Sequence, residues 1–147
     1  MPHLNKKIKV LFIWPNKDAS FFRPISLSLL SALLKRNGHE VKLFDTTFIN
    51  FGYTTISDSV TVIKVNKSVD LSSYNLSKKQ VKAEEELLKV LSNYQPDLVA
   101  VTTLSDEVTI GKDLSAAVKS WRADVSVVWG GEGVLVEPEE ILNDLNI

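Results

Sequence analysis

Four short runs of this chain are apolar at nearly every position rather than at every second one. That limits what the chain can fold into more than any other feature. The runs are residues 8–14 (IKVLFIW), 41–44 (VKLF), 98–103 (LVAVTT) and 125–129 (VSVVW). A strand with one face in water alternates apolar and polar residues. A strand without that alternation needs cover on both faces, as in a parallel sheet sandwiched between helices. Segments of helical period separate the runs. Ile25, Leu29, Leu30, Ala32, Leu33 and Leu34 form an expected inward stripe behind Pro24, and Asn37-Gly38 stops that helix with a glycine suited to a left-handed cap. Ser77-x-x-Gln80 fits a capping box, opening a helix that continues through Val81, Leu87, Leu88 and Leu91 to Gln95-Pro96-Asp97. Ser105 or Asp106 is placed to cap a third helix, with Ile110, Leu114, Ala117, Val118 and Trp121 inward. Glu137-Pro138-Glu139-Glu140 opens a last one.

The order β α β, an irregular stretch, then α β α β α predicts an α/β fold of the doubly wound, Rossmann-like (flavodoxin-like) type. Its four core strands run in the order 2-1-3-4, with 8–14 central. Residues 45–75 are long for a connection, and 60–65 (VTVIKV) read as a short strand or hairpin arm within them. A fifth strand is expected after the last helix. The 147 residues therefore read as a single domain, 1–147, that is the N-terminal part of a longer protein. Its outer edge, beside 125–129, is expected to self-associate.

The totals exclude several classes. The chain has no cysteine, so it holds no disulfide, thiolate zinc site, cysteine nucleophile or iron–sulfur cluster of its own, which is compatible with the cytosol. A net charge of −1 creates no field for nucleic acid or an acidic membrane. No apolar h-region and no run of roughly 18 apolar residues is present. There is no GxGxxG, no GxxxxGK[ST] and no GxSxG. His3 lies in the tail and His39 in a turn, so neither is placed as a base or ligand. A receiver-type acidic pocket would need an acid after the third strand, where Thr102 and Thr103 stand. No catalytic centre is legible.

Binding is a different matter. In such sheets ligands sit beyond the carboxyl ends of the strands, at the switch in strand order. The residues there are Trp14, Pro15 and Asn16; Asp45, Thr46 and Thr47; Thr102, Thr103, Leu104 and Ser105; and Gly130, Gly131, Glu132 and Gly133. Glycines permit close backbone approach, and free N–H groups at helix starts would hold anions. Gly130-Gly131 also fits a plain tight turn, and Asp45 either a polar ligand edge or a cap on the next turn.

These motifs in this order resemble the N-terminal cobalamin (B12)-binding domain of B12-binding radical SAM enzymes, including the anaerobic magnesium-protoporphyrin monomethyl ester cyclase-like proteins. The resemblance rests on Leu11-Phe12-Ile13-Trp14-Pro15, Arg23-Pro24, Gly38-His39-Glu40-Val41, Pro96-Asp97 before an apolar strand, Thr102-Thr103-Leu104-Ser105, Val127-Val128-Trp129-Gly130-Gly131 and Pro138-Glu139-Glu140. It spans nearly the whole chain. It implies a corrinoid at the strand ends, contacting Pro15, Asn16, Thr102, Thr103, Leu104, Ser105, Gly130, Gly131, Glu132 and Gly133. It also implies a C-terminal barrel with S-adenosylmethionine and a 4Fe-4S cluster, in a cytoplasmic parent enzyme of methyltransferase or cyclase type. Glu132-Gly133-Val134 replaces the His-Pro that often follows Gly-Gly in the family, and the Asp-x-His-x-x-Gly motif is absent. Cobalamin would therefore be held without a protein imidazole. The competing reading is a flavodoxin-like regulatory or interaction module that binds no cobalamin. Flavin is disfavoured by the lack of a Ser/Thr-rich phosphate cradle after the first strand.

Overall fold

The computed structural model describes residues 6–16, 24–51, 77, 79–136 and 138–143. The 60–65 strand expected from sequence lies outside them. The four apolar runs become β1 (Lys9–Trp14), β2 (Glu40–Asp45), β3 (Leu98–Thr102) and β4 (Ser126–Gly130). All neighbours are parallel, and the order is β2-β1-β3-β4, as the sequence predicts. Helices α1 (Ile25–Arg36), α2 (Ala83–Tyr94) and α3 (Val108–Trp121) connect them, and the short helices α4 (Glu132–Val136) and α5 (Pro138–Leu142) follow β4. No helix among the described residues is long and apolar enough to cross a membrane.

The lack of alternation in β1 is explained by its two burials. Leu11 and Ile13 point to one face and join Val99, Val101 and Val127 under Leu87 and Leu91 of α2 and Leu114 and Val118 of α3. Val10 and Phe12 point to the other face, where α1 contributes Leu27 and Leu34. Fully burying a Leu or Ile stabilises by roughly 1.5–3 kcal/mol, so the first cluster is the main source of stability. Trp129 completes it. Its ring lies against Gly111 of α3, where an added Cβ would stand 2.7 Å from the indole, and its Nε1–H donates to the buried Ser115 at 3.1 Å.

The helix ends depart from expectation in four places. First, α1 turns inward through Leu27 and Leu34, seven positions apart, while Ile25 is 77 % exposed, Leu29 61 %, Leu30 48 % and Leu33 45 %. A helix apolar round most of its circumference does not reveal which arc meets the sheet. Second, the Ser77–Gln80 capping box does not form. Lys79 pairs with Ile49 in a parallel bridge, which holds that segment extended, and Gln80 accepts from Asn50 instead. Val81 consequently precedes the helix, and α2 begins at Ala83 with no side-chain cap. Third, Ser105 opens a single 3-10 turn, Ser105–Glu107, so the residue capping α3 is Glu107, again without a side-chain cap bond. Fourth, α4 begins immediately after Gly131, ahead of the helix expected from Pro138. The other ends follow the sequence: Gly38 has φ +85° after α1, and Gln95, at φ 54°, closes α2.

Candidate functional site

Parallel strands deliver their carboxyl ends to one side of the molecule. Trp14 pairs with Asp45 there, and Thr102 with Gly130. The order reverses between β1 and β3, because the chain leaves β1 for β2 on one flank and returns to β3 on the other. A cleft of about 320 Å³ lies at that switch. Its walls are Trp14, the start of α1 (Pro24, Ile25, Ser26), the end of β3 (Thr102, Thr103, Leu104) and the turn after β4 (Gly131, Glu132).

The turn after β4 is built around glycine. Gly131 has φ +102°, and a Cβ there would stand 2.5 Å from the Thr103 carbonyl oxygen and 2.9 Å from Thr102 Oγ1. A Cβ on Gly133 would stand 2.6 Å from Thr103 Oγ1. Backbone thus lies against backbone at Gly131 and against the Thr103 hydroxyl at Gly133, both closer than any Cβ allows. Thr103 N–H donates to the Gly130 carbonyl at 3.1 Å, and Gly133 N–H to the Thr103 carbonyl at 3.0 Å. Gly130 carries no such demand, since a Cβ there meets nothing within 4 Å.

Thr103 itself is 2 % exposed, and its buried Oγ1 has no hydrogen-bond partner among the described residues. Such an atom carries a desolvation cost of about 1–3 kcal/mol until something pairs with it.

The remaining loop amides are not the free donors that the sequence suggests. Leu104 N–H donates to Glu107 Oε2 at 3.3 Å, and Ser105 N–H donates to Glu132 Oε2 at 3.2 Å. Glu107 is buried, whereas Glu132 is exposed on the cleft wall.

On the β1–β2 side the polar residues bond to one another. Asn16 Nδ2 donates to Thr47 Oγ1 at 2.9 Å, and the Thr47 hydroxyl and N–H both donate to Asp45 Oδ1. Of the two readings open for Asp45, the turn cap is the one observed. Pro15 and Asn16 are buried behind the end of β1. Of the ten sequence candidates, Thr102, Thr103, Leu104, Gly131 and Glu132 line the cleft. Ser105, Gly130 and Gly133 neighbour those residues in the chain but do not line the cleft. Pro24, Ile25 and Ser26 escaped the sequence reading. Their signal was position alone: in a doubly wound sheet the first helix starts at the switch point.

His39 precedes β2, so it lies at the opposite end of the sheet, where its Nδ1 accepts the Ile8 N–H at 3.3 Å. Among the described residues, no three His, Cys, Asp or Glu side chains gather in a way that could hold a metal ion.

No protein-family model matches the chain, and no curated protein matches it in sequence. Solved structures do. One is the radical S-adenosylmethionine methyltransferase TsrM from Kitasatospora setae with tryptophan substrate and the SAM analogue aza-SAM bound, at 19 % identity and a TM-score of 0.56, matching 90 % of this chain and 21 % of that one. Another is TsrM with cobalamin and a [4Fe-4S] cluster bound, at 20 % identity and a TM-score of 0.56, matching 90 % of this chain and 20 % of that one. The chain thus spans about one fifth of the length of the solved proteins it resembles, and what it shares with them is the fold: a four-stranded parallel sheet flanked by helices, of the α/β Rossmann-like type.

Proposed function

We propose that this chain is the corrinoid-binding domain of a larger radical SAM enzyme of methyltransferase or cyclase type. The observation that carries the reading is the buried, unpaired Thr103 Oγ1 beside a glycine turn, at the switch-point cleft. An orphaned hydroxyl in that wall suits a polar ligand edge, and Gly131 and Gly133 let the turn after β4 close directly on the β3 loop that carries it. The likeness in fold to a protein solved with cobalamin bound supports the same choice.

The cleft has room for part of a corrinoid. Thr102, Thr103, Leu104 and Ser105 would face its nucleotide tail from one side, and Gly130, Gly131, Glu132 and Gly133 from the other. Pro15 and Asn16 would brace the end of β1 beneath it. When bound, cobalamin supplies a cobalt-centred alkyl carrier. The domain's own part would be to hold and orient it, and His39, at the far end of the sheet, would take no part. S-adenosylmethionine and the 4Fe-4S cluster would belong to other polypeptide.

A second reading is an interaction module that binds no cofactor. The exposed Leu29, Leu30 and Leu33 of α1 favour it.

Titration with hydroxocobalamin, followed by its visible absorption, separates the two. Saturable binding is expected, without the spectral change that imidazole coordination causes. Gly131→Val should abolish it, because valine combines a positive φ with contacts under 3 Å, while Gly130→Ala should leave it intact. Absence of saturable binding, by this domain and by a longer chain that contains it, would leave only the interaction module.

A further inference from the structure

The loop amides carry information beyond the corrinoid reading. Phosphate-binding loops offer several backbone N–H groups to the anion. Here Thr103, Leu104, Ser105 and Gly133 bring four amides to the region of the cleft, and each already has an acceptor. Two of those acceptors are backbone carbonyls and two are carboxylates. Glu107 takes the Leu104 amide from a buried position. Glu132 takes the Ser105 amide from the cleft wall itself.

We infer that Glu132 is a specificity-determining residue that keeps phosphate monoesters, such as flavin mononucleotide, out of the cleft. A terminal phosphate entering beside Gly131 would have to displace the carboxylate from the Ser105 amide and would meet its negative charge at close range. A ligand fringed with neutral carboxamides meets the opposite situation, because its N–H groups find an acceptor in that same carboxylate. The fold is shared with flavin-binding proteins, so this acidic side chain adds to the missing cradle after β1 in separating the ligand classes. This inference rests on reading the strand-end cleft as the ligand site.

The experiment compares flavin mononucleotide with riboflavin, which carries the same ring without the phosphate, using flavin fluorescence and the full chain. Glu132→Ala removes the charge and frees the Ser105 amide. It should tighten flavin mononucleotide by about tenfold or more, the scale of one charge-assisted hydrogen bond, and leave riboflavin unchanged. Glu132→Gln keeps an acceptor oxygen for Ser105 without the charge, and should give a smaller gain for flavin mononucleotide alone. Circular dichroism of both variants checks that the fold persists. Equal affinity of wild type and both variants for flavin mononucleotide would overturn the inference, and so would equal gains for the two flavins. Hydroxocobalamin titrated against the same wild-type sample reports separately. A phosphate-specific gain without cobalamin binding, here and in a longer chain that contains this domain, would sink the corrinoid reading and leave the role of Glu132 standing.

Discussion

The two faces of the sheet are built differently, and the difference separates stability from binding. One face lies under α2 and α3 and fully buries Leu11, Ile13, Val99, Val101, Leu87, Leu91, Leu114 and Val118. Among the described residues, the other lies under α1 alone. Val10, Phe12 and Leu27 are buried there, but Leu98 and Ala100 of β3 are only partly covered, and Val128 of β4 is 47 % exposed. Apolar sequence is similar on the two faces, and the number of helices above it is not. The cleft opens on the thinly covered face, beside the start of α1. A site needs room for a ligand, and room is what a single covering helix leaves.

The largest effect should separate the faces directly. Leu11→Ala removes a fully buried side chain from beneath two helices and should cost about 3–4 kcal/mol, whereas Leu27→Ala under α1 should cost about 2 kcal/mol, because its surroundings can close in. Urea melts of the two variants measure this. Equal losses would show that the single helix packs as tightly as the pair. A smaller effect is expected from Leu29→Gln combined with Leu33→Gln. Both residues point away from the sheet, so stability should shift by less than about 0.5 kcal/mol per site while self-association falls. Light scattering against concentration reads the second part, and a loss of folding would place the two leucines in the core.

The smallest effect concerns pH on the thick face. Desolvation, reinforced by the charge of Glu84 on α2, raises the Asp113 carboxyl of α3 above its ordinary value. The folded state then holds that proton more tightly than the unfolded state does. Stability should therefore rise slightly as pH falls through the raised value towards the ordinary one. Asp113→Asn should flatten that part of the profile, and an unchanged profile would show that solvent screens the interaction.

What sequence could show follows from the same asymmetry. The central strands β1 and β3 were legible because burial on both faces leaves its mark within five or six residues. The edge strands β2 and β4 carry apolar runs as well, yet leave Leu43 and Val128 exposed. The inward arc of α1 was not legible, since Ile25, Leu29, Leu30 and Leu33 are as apolar as Leu27. The Ser77–Gln80 capping box failed for a non-local reason, the bridge from Lys79 to Ile49 thirty residues earlier. At the cleft, glycines after a strand were visible as a turn. The seating of Glu132 on the Ser105 amide was not, because it joins residues twenty-seven positions apart.

Trp14 has an optical consequence. It ends β1 and forms part of the cleft wall, while Trp129 is tucked against α3 on the other face and Trp121 lies under the Arg122 guanidinium. The three indoles thus sit in three distinct surroundings. A bound chromophore that absorbs near-ultraviolet light would draw excitation energy most readily from the nearest of them. The emission of Trp14 would dim first, with that of Trp129 as an internal reference from the far side of the sheet. The protein thereby carries its own gauge of whether the cleft is filled, without any added dye.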